Sequence, residues 1–489
     1  MTDIEVDADS EVDVDVDVVV IGSGFAGLCA ALEAEAAGAT VLIAESQDVL
    51  GGSSRLAHGL IMGAGTRFQA AQGITDSGDD LFRHYMTLNQ WQVDPAVGWR
   101  LCQETGPTIE WLNDHGVEIV GLYPSGDEAV PRGHATLGGQ AVVDALVSAI
   151  RRRPRIDIAL RRRVDRLLVE DGQVCGIAVG EDEIRSRATI LACGGLGANT
   201  EMLKLFCPTP LTAGRDWLWY LGAPGSQGDG IRLTMPLDVQ LAGRGRSQLT
   251  MRPNFGRYPD TYFPGWLVIV NDQGRRFYNE MSPYSITQPI VLAQGGPVFG
   301  VFDNATRLAA SPHSTKATKK VALPGETEED WIIPKIDAMV DAGVVHRSDT
   351  IEGLARKIGV PAANLEGTFE RYNGHVARGE DTDFQKVAQH MRPVATPPFY
   401  ATELRLYMLG LTSVGPRIDA HARVLDQRSR AIPGLYAAGE ASGGVLGPVY
   451  AGSGNSIANA TTFGRVAGRT AAADLCAEAE VAEPVGAAL

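Results

Sequence analysis

Two segments near the start of the chain have the residue types and spacing that bind a dinucleotide. The GxGxxG spacing occurs in Gly22-Ser23-Gly24-Phe25-Ala26-Gly27, and Glu45 follows it along the chain. Gly22 permits a tight turn, Gly24 lets a pyrophosphate approach the backbone, and Gly27 allows a helix to pack closely on a strand. The carboxylate of Glu45 can accept hydrogen bonds from a ribose 2′-hydroxyl, which favours an unphosphorylated ribose.

The elements around this motif must hold it at the end of a strand. Residues 18–21 form a short apolar run that is typical of a buried parallel strand. Residues 28–37 have the composition of a helix, and residues 40–44 predict a second strand that ends at Glu45. The N-terminus of the helix offers free N–H groups and the positive end of its dipole to phosphates. In this context we predict a nucleotide-binding unit rather than a glycine-rich structural turn.

Four more glycine-rich segments indicate how long the bound nucleotide is. Gly51-Gly52-Ser53-Ser54 would wrap a second stretch of backbone around a long ligand. Residues 188–195 are a strand that runs into a glycine pair, and residues 432–440 are a strand that delivers Glu440 at its end. Residues 452–457 then open a last helix. Separated turns of this kind fit an extended, buried dinucleotide such as FAD better than a nicotinamide cofactor.

The charge and length of the chain exclude several classes of protein. The 489 residues carry a net charge of −16, and residues 1–17 contain eight acidic residues and no basic one. Such a segment is expected to stay solvated, and it lacks the basic and apolar regions of a secretory signal peptide. An acidic surface makes nucleic acid a poor partner. No apolar run approaches roughly 18 residues, so we expect no transmembrane segment.

Cysteine and histidine usage indicates a reducing compartment and no metal site. The six cysteines are scattered without a CxxC pair, and the nine histidines lack metal-ligand spacing. Free thiols are typical of proteins in a reducing environment, so we predict a cytoplasmic protein without disulfides or bound metal. At roughly 100 to 200 residues per domain, the length predicts two or three domains.

Four of the segments together resemble the flavoprotein family of fumarate reductases and 3-ketosteroid dehydrogenases. They are GSGFAG, GGSS, ILACGG and IPGLYAAGEASGG, and the resemblance covers about residues 18–473. It implies an α/β fold in which a Rossmann-type FAD-binding domain, split in sequence, encloses an inserted α+β catalytic or capping domain. We therefore predict the FAD-binding domain at 1–243 and 412–489, with a flexible acidic tail at 1–13, and the capping domain at 244–411.

The same resemblance implies a set of cofactor contacts. Glu440 would contact the ribityl chain, and the backbone at Ser456 and Ile457 would face the flavin pyrimidine, where a helix N-terminus stabilises negative charge. Val164 would be a backbone contact to adenine, or else a buried strand residue without that role. Nothing marks His58 as a covalent attachment point, so we expect non-covalent FAD. The predicted cofactor contacts are Gly22, Ser23, Gly24, Ala26, Gly27, Glu45, Ser46, Gly52, Ser53, Ser54, Val164, Gly195, Asp229, Gly439, Glu440, Ser456 and Ile457.

Three positions depart from the fumarate reductase pattern. Those enzymes carry a proton-delivering Arg after an RFxNE segment, a His before a TMGG-like segment and an Arg shortly before the last helix. In this chain the three positions hold Tyr284, Leu411 and Tyr450. Fumarate is therefore not the expected substrate, because two tyrosines and a leucine replace the charged groups that grip a dicarboxylate.

Tyr284 and Tyr450 instead resemble residues of the 3-ketosteroid dehydrogenases. The run Tyr450-x-Gly452-x-Gly454 is similar to the Tyr-x-Gly-x-Gly of the Δ1 enzymes, and the segment that ends in Pro283-Tyr284 is similar to their base-bearing segment. The Δ4 enzymes share a Tyr and a nearby Ser, with one residue fewer between them. The Δ1 interpretation is therefore favoured, and Ser453 keeps the Δ4 interpretation open.

Desaturation of a ketone explains these residue types. The carbonyl must be polarised, a base must take the α-proton, and N5 of the flavin must accept the β-hydride. The resemblance implies that Tyr450 and the N–H of Gly454 donate to the carbonyl and that Tyr284 is the base. Free tyrosine has a pKa near about 10, so Tyr284 needs nearby donors to act near neutrality. Tyr123 is our candidate for that helper, with an ordinary loop tyrosine as the alternative.

The sequence leaves the size and charge of the substrate open. Aromatic residues within 216–220 and 258–266 could line a pocket for apolar rings or pack in the core. Arg252 could grip a carboxylate, which would favour a small oxo-cyclohexane carboxylic acid, or it could pair with an acidic residue. Leu411 is the other predicted substrate contact.

Two further hypotheses concern the direction of the reaction and the electron acceptor. The enzyme could reduce an activated C=C bond, but the lost Arg argues against that direction. It could be a flavin-carrying redox module without its own substrate, and the retained tyrosine pair argues weakly against this. The sequence contains no heme or iron–sulfur motif, so we expect oxygen, a quinone or a soluble carrier to take electrons from an enzyme that acts on a small cyclic ketone.

Overall fold

The computed structural model describes residues 15–126, 128–213, 217–256, 263–309 and 330–482. The acidic tail predicted at 1–13 and much of the second aromatic segment, at 257–262, lie outside the described residues.

The described chain folds into strands and helices that alternate over most of its length. The strands are β1 Val16–Ile21, β2 Val41–Ala44, β3 Leu60–Met62, β4 Gly121–Tyr123, β5 Gly133–Ala135, β6 Ile156–Ala159, β7 Arg166–Glu170, β8 Gln173–Val179, β9 Asp182–Leu191, β10 Trp219–Tyr220, β11 Leu241–Ala242, β12 Ser247–Pro253, β13 Val268–Val270, β14 Val298–Asp303, β15 Val345–Ser348, β16 Phe399–Thr412, β17 Gly415–Pro416, β18 Arg423–Leu425 and β19 Ala431–Ala437. The helices are α1 Phe25–Ala36, α2 Arg67–Ala70, α3 Gly78–Leu88, α4 Pro95–Asp114, α5 Gly139–Ile150, α6 Thr200–Phe206, α7 Asp229–Thr234, α8 Tyr284–Leu292, α9 Asn304–Ala309, α10 Ile333–Asp341, α11 Ile351–Ile358, α12 Ala362–Arg378 and α13 Asn455–Ala482.

A largely parallel sheet holds the glycine-rich turns at one edge. Its strand order is β18-β19-β9-β1-β2-β6; the strands from β19 to β6 are parallel, and β7 and β8 extend β9 by antiparallel pairing. Val18, Val19 and Val20 of β1 are fully buried, as expected for a parallel strand covered on both faces. Because the carboxyl ends of parallel strands meet at one edge, the turns that follow β1, β2, β9 and β19 lie together.

Helices α1 and α13 cover this sheet with unusually close backbone contacts. A Cβ atom at Gly464 would lie 2.4 Å from the carbonyl oxygen of Ala26, and one at Gly468 would lie 2.3 Å from that of Ala30. A Cβ at Gly27 would meet the Gly22 carbonyl oxygen at 1.9 Å. The third glycine of the first motif therefore serves helix packing, as the motif predicts.

A second sheet stands apart in sequence and packs around its own core. Its strand order is β10-β16-β14-β13, and β12 and β15 also pair with the long strand β16. The core of this layer includes Leu196, Leu203 and Cys207 as well as residues of β12 and β16. The predicted α/β class with a split nucleotide-binding domain is confirmed, and the boundary at residue 243 stays a prediction. None of the helices in the described ranges is both long enough and apolar enough to cross a membrane.

Candidate active site

One cavity of about 720 Å³ follows the edge where the turns of the parallel sheet meet. It is also lined by residues of the second sheet, from β12 and β16, and by the segment that leads into α13. The predicted cofactor contacts that line it are Gly22, Ser23, Gly24, Ala26, Glu45, Ser46, Gly52, Ser53, Ser54, Val164, Asp229, Gly439, Glu440, Ser456 and Ile457. Gly27 and Gly195 are not among the lining residues. A Cβ atom at Gly27 would meet the Gly22 carbonyl oxygen, and one at Gly195 would meet the Glu440 carboxylate.

Ser23 and Glu45 connect the first two glycine-rich turns. Glu45 accepts hydrogen bonds at Oε2 from the Ser23 backbone N–H at 2.9 Å and from the Ser23 hydroxyl at 2.5 Å. The Ser23 Oγ in turn accepts from the backbone N–H of Gly51 at 3.0 Å. The Glu45 Oε1 accepts from the backbone N–H of Gln47 at 2.8 Å. These bonds fix the cradle around the cavity, and a ribose contact of Glu45 stays a prediction.

The serines of the GGSS turn also hold the walls of the cavity. Ser54 Oγ accepts a hydrogen bond at 2.9 Å from the backbone N–H of Phe25, in the first turn of α1. This bond satisfies one of the N–H groups that a helix leaves unpaired at its start. Ser53 Oγ accepts from the Ala223 N–H at 2.9 Å and lies 3.2 Å from Ser226 Oγ. The loop around Ser226 carries no motif, which is why the sequence did not predict it.

Arginine side chains bind two of the predicted cofactor contacts, the Asp229 carboxylate and the Val164 carbonyl. Arg163 makes a bidentate salt bridge with Asp229, with hydrogen bonds of 2.8 Å and 3.2 Å. Arg232 Nε donates to the same carboxylate at 2.9 Å. Arg232 also donates to the carbonyl oxygen of Val164 at 2.5 Å. The Val164 side chain is buried. This end of the cavity is therefore built from paired charges.

Glu440 lies in a pocket that Gly195 leaves open. Its Oε1 accepts hydrogen bonds from the Thr412 backbone N–H at 2.7 Å and from the Thr412 hydroxyl at 2.9 Å. A Cβ atom at Gly195 would lie 2.1 Å from the same oxygen, so only glycine fits there. Burial raises the pKa of Glu440 to about 7, although the bonds from Thr412 and Gly195 lower it. Glu440 is therefore a carboxylate that titrates near neutrality.

The residues of the cavity fit FAD. Its volume lies within the range of roughly 300–1,000 Å³ that ligand pockets occupy. Glycines at 22, 24, 52 and 439 line it, and a Cβ atom at Gly52 would meet no protein atom within 4 Å. The helices α1 and α13 both begin at its wall, so two positive helix ends face the same ligand. This arrangement suits a dinucleotide whose pyrophosphate binds at one helix start and whose anionic flavin ring binds at the other.

Tyr284 and Tyr450 lie together on the wall of this cavity. Tyr284 is the first residue of α8, and Tyr450 precedes α13. Their ring centroids are 6.2 Å apart. The Tyr284 hydroxyl lies 3.1 Å from Ser453 Oγ, where either group can donate. The two tyrosines that the resemblance predicted therefore share one site, together with Gly454 and Leu411, which also line the cavity.

The hydroxyl of Tyr450 is bound to the start of α13. It accepts a hydrogen bond from the Ser456 backbone N–H at 3.2 Å and lies 3.0 Å from Ser456 Oγ. Burial raises the pKa of Tyr450, while the two bonds to Ser456 lower it. Tyr450 therefore stays protonated near neutral pH and can donate a hydrogen bond, but it is not suited to act as a base.

The glycines of the Tyr-x-Gly-x-Gly run allow the loop to press against neighbouring backbone. Gly452 has φ +139°, and a Cβ there would lie 2.6 Å from the Ser125 carbonyl oxygen. Gly454 has φ +91°, and a Cβ there would lie 2.5 Å from the Leu60 carbonyl oxygen. Between them, the Ser453 N–H donates to the Ser125 carbonyl at 2.7 Å. The glycine spacing thus positions Tyr450 and Ser453.

Two predicted site residues lie elsewhere. Tyr123 is on β4 and is not among the described residues that line the cavity. Arg252 is buried on β12, and its Nη2 lies 3.7 Å from Asp330 Oδ2. Arg252 is not among the lining residues either, so the alternative of pairing with an acid describes it better than a substrate carboxylate does.

The second sheet contributes lining residues that the sequence did not single out. Besides Tyr284 and Leu411, the described residues of 244–411 that line the cavity are Gln248, Met408 and Gly410. None of these five carries a formal charge. Local patterns could not reveal this set, because β12 and β16 are far apart in sequence and meet only in the sheet.

Comparison with known proteins agrees with the geometry. A family model described as an FAD binding domain matches residues 17–457. The fumarate reductase (cytochrome) of Shewanella frigidimarina is 31% identical over 467 residues, which cover 92% of this chain and 76% of that protein. The vinyl phenol reductase of Lactiplantibacillus plantarum is 28% identical, covering 92% of this chain and 95% of the relative.

A solved structure has a similar fold. The 3-ketosteroid-Δ4-(5α)-dehydrogenase of Rhodococcus jostii RHA1, in complex with 4-androstene-3,17-dione, has a TM-score of 0.76 at 26% identity, covering 95% of this chain and 98% of that one. The fold, the glycine-lined cavity and these matches define an FAD-dependent oxidoreductase of a family that acts on carbon–carbon bonds. The chain belongs to the FAD-binding flavoprotein family of fumarate reductases and 3-ketosteroid dehydrogenases.

Proposed function

We propose that this enzyme introduces a C=C bond next to the carbonyl of an uncharged cyclic ketone, in the manner of a 3-ketosteroid Δ1-dehydrogenase. The observation that carries this proposal is the pair of tyrosines on one cavity wall with different surroundings. Tyr450 is held by the start of α13 and keeps its proton, whereas the Tyr284 hydroxyl lies 3.1 Å from the hydroxyl of Ser453.

The two tyrosines take different parts in the reaction. The Tyr450 hydroxyl and the Gly454 N–H donate to the ketone oxygen and stabilise the enolate that forms. Tyr284 acts as a phenolate that Ser453 stabilises by donating a hydrogen bond, and it becomes a phenol when it takes the α-proton. FAD, when bound, supplies the acceptor for the β-hydride. Electrons then leave to oxygen, a quinone or a soluble carrier.

The uncharged residues that 244–411 contribute to the lining support a neutral substrate, whereas the arginines of the cavity, Arg55, Arg162 and Arg163, lie on the segments of the predicted cofactor contacts. The lining residues of 244–411 offer amide, hydroxyl and apolar groups but no cation among the described residues. Arg252, which a keto acid would require, is 2% exposed and engaged near Asp330. A carboxylate in such a place would be desolvated without a partner, which is costly. A keto acid such as 4-oxocyclohexanecarboxylate is therefore the weaker alternative.

Ser453 favours a second candidate, a Δ4-type dehydrogenase. Its Oγ contacts the proposed base directly, and Δ4 enzymes carry a serine near their tyrosine. The solved Δ4-(5α)-dehydrogenase is also 26% identical to this chain. Incubation of a saturated 3-ketosteroid with the enzyme and an electron acceptor separates the two, because NMR of the product locates the new double bond at C1 or C4.

The first test of the proposed function is anaerobic mixing of the yellow enzyme with a substrate. We expect 4-androstene-3,17-dione to bleach the flavin absorbance and 4-oxocyclohexanecarboxylate to leave it unchanged. Bleaching by the acid alone would replace the neutral substrate with the keto acid. If neither compound bleaches the flavin, but the reduced enzyme is reoxidised by the matching enones, the enzyme works as a reductase and the proposal fails.

A further inference from the structure

Gln248 stands out among the cavity residues of the second sheet, and the inference drawn from it rests on the proposed function. Trp219 and Tyr220 of β10 line the cavity on the far side of β16. On β16 itself, the strand that pairs with Gln248, the lining residues are Met408, Gly410 and Leu411, which have no polar side-chain atoms except the Met sulfur. Gln248 is half-buried and brings an amide into this apolar surface. A polar group in an apolar part of a pocket fixes the orientation of a ligand.

The sheet holds this amide in one place. Gln248 lies opposite Leu411 in the β12–β16 pair, next to a β-bulge between Gln248 and Leu249. Its Nε2 donates to Thr250 Oγ1 at 2.9 Å. A Cβ atom at Gly410 would lie 1.9 Å from the Gln248 Oε1, so the glycine leaves the space that the amide occupies. The Thr250 hydroxyl therefore orients the amide group, and Gly410 leaves room for it.

The amide retains hydrogen-bonding capacity for a ligand. A Gln side chain has two N–H donors and an acceptor oxygen, and Thr250 engages one donor. When substrate fills the cavity, it displaces water. The second N–H and the oxygen of the Gln248 amide then lose their hydrogen bonds unless the substrate supplies new ones. The hydroxyls of Tyr284 and Tyr450 contact Ser453 and Ser456, near the start of α13. The amide on β12 is therefore a second polar point, separate from the pair that handles the ketone.

We propose that Gln248 recognises a second uncharged oxygen on the substrate, a ketone or hydroxyl other than the carbonyl that Tyr450 binds. An amide can donate to a ketone and either donate to or accept from a hydroxyl, so it accommodates both groups. The substrate is thus a cyclic ketone with a further oxygen function, and Gln248 is a specificity-determining residue.

The test compares ligands that differ in one oxygen. Dissociation constants of 4-androstene-3,17-dione and 4-androsten-3-one are measured from changes in the flavin spectrum, in a Tyr284→Phe background where proton removal is blocked. The pair 4-hydroxycyclohexanone and cyclohexanone covers a small-ring substrate. We expect the oxygenated member of one pair to bind at least about tenfold more tightly, because a site built for a polar group rejects an analogue that lacks it.

Variants at Gln248 separate recognition from packing. Gln248→Leu should bring the ratio of the two dissociation constants close to one while affinity for the deoxygenated ligand changes by less than about twofold. Gln248→Glu, an acceptor only, should favour 17β-hydroxy-4-androsten-3-one over the 17-ketone. Gln294→Leu is the matched control, because Gln294 contacts Asn271 and is not among the lining residues; its ratio should match that of the parent.

The outcomes distinguish this inference from the proposed function. The role of Gln248 is overturned if the two dissociation constants are nearly equal in both ligand pairs without a substitution at Gln248. It is also overturned if their ratio is unchanged in Gln248→Leu. Flavin reduction is followed separately in the enzyme with Tyr284 intact. Discriminating binding without any flavin reduction would contradict the proposed desaturation and leave the recognition by Gln248 standing.

Discussion

The hydroxyl groups of the two active-site tyrosines are held by different partners. Tyr450 receives a backbone N–H from the start of a 28-residue helix, and burial raises its pKa. Tyr284 meets the small, rotatable hydroxyl of Ser453. A serine hydroxyl can turn to donate to a phenolate as easily as it accepts from a phenol. The proposed function assigns proton removal to Tyr284 on the basis of this difference.

Tyr284→Phe should lower turnover by at least about 10²-fold while FAD stays bound, because the variant loses a general base and keeps the ring that packs in the wall. The measurement is kcat with flavin content determined from the visible spectrum. Tyr123→Phe is the matched control and should stay within about twofold of the parent, since Tyr123 is not among the described lining residues. Near-normal turnover in Tyr284→Phe would remove Tyr284 from the mechanism.

Glu440 should make stability depend on pH in a defined window. Its pKa rises from 4.5 to about 7 in the folded protein, because burial disfavours the charged form. Between pH 4.5 and about 7 the folded state binds more protons than the unfolded state. The contribution of Glu440 to the free energy of unfolding is therefore present at the acid end of this window and is lost as the pH rises to about 7. Glu440→Gln should flatten the corresponding part of a Tm profile from pH 5 to 8. Parallel profiles for parent and variant would contradict the assignment.

At the scale of elements, the loop that leads into α13 depends on glycine. Gly454→Ala should destabilise the protein by about 1–3 kcal/mol from the backbone conformation alone, and the contact with Leu60 adds to this. It should also lower kcat more than FAD content, because the loop carries Tyr450. The measurements are urea unfolding and turnover. Gly367→Ala in α12 is the control: a Cβ there meets open space, and loss of stability in that variant would refute the argument.

The first motif predicted its elements well because their contacts are local. Strand β1, the turn and α1 follow from the spacing of glycines, and the predicted helix 28–37 is observed at Phe25–Ala36. The earlier start has a non-local cause, since the Phe25 N–H is bound by Ser54. The segment 452–457 predicts the start of the last helix, and the helix begins within it, at Asn455.

The second sheet escaped prediction because distant segments build it. Gln248 faces the cavity only because β12 pairs with β16, and Gly410 makes room for it. Arg252 lies next to Asp330, and no local sequence pattern connects these two residues. The motif residues of the candidate site were therefore predictable, and the residues that set substrate choice were not.

At the scale of the whole molecule, FAD should join both sheets. The cavity is lined from both, so filling it adds contacts that connect the two sheets. At an FAD concentration about 100 times its dissociation constant, the added stability is about 2.7 kcal/mol. Calorimetry should show a Tm of the apoprotein that rises with added FAD. Riboflavin, which lacks the pyrophosphate and the adenosine, should raise it less; a Tm indifferent to FAD would contradict the linkage.

The position of β19 in the parallel sheet has a consequence for synthesis of the protein. This strand pairs with β9 and β18, and the carboxylate of Glu440 and the helix α13 follow it along the chain. The second sheet is complete once β16 has left the ribosome, whereas the parallel sheet must wait for residues 431–437. Flavin uptake is then the last step of maturation, after domain-by-domain folding of the growing chain. Stalled nascent chains that end before Ala431 should carry no flavin, and flavin bound to them would disprove this order.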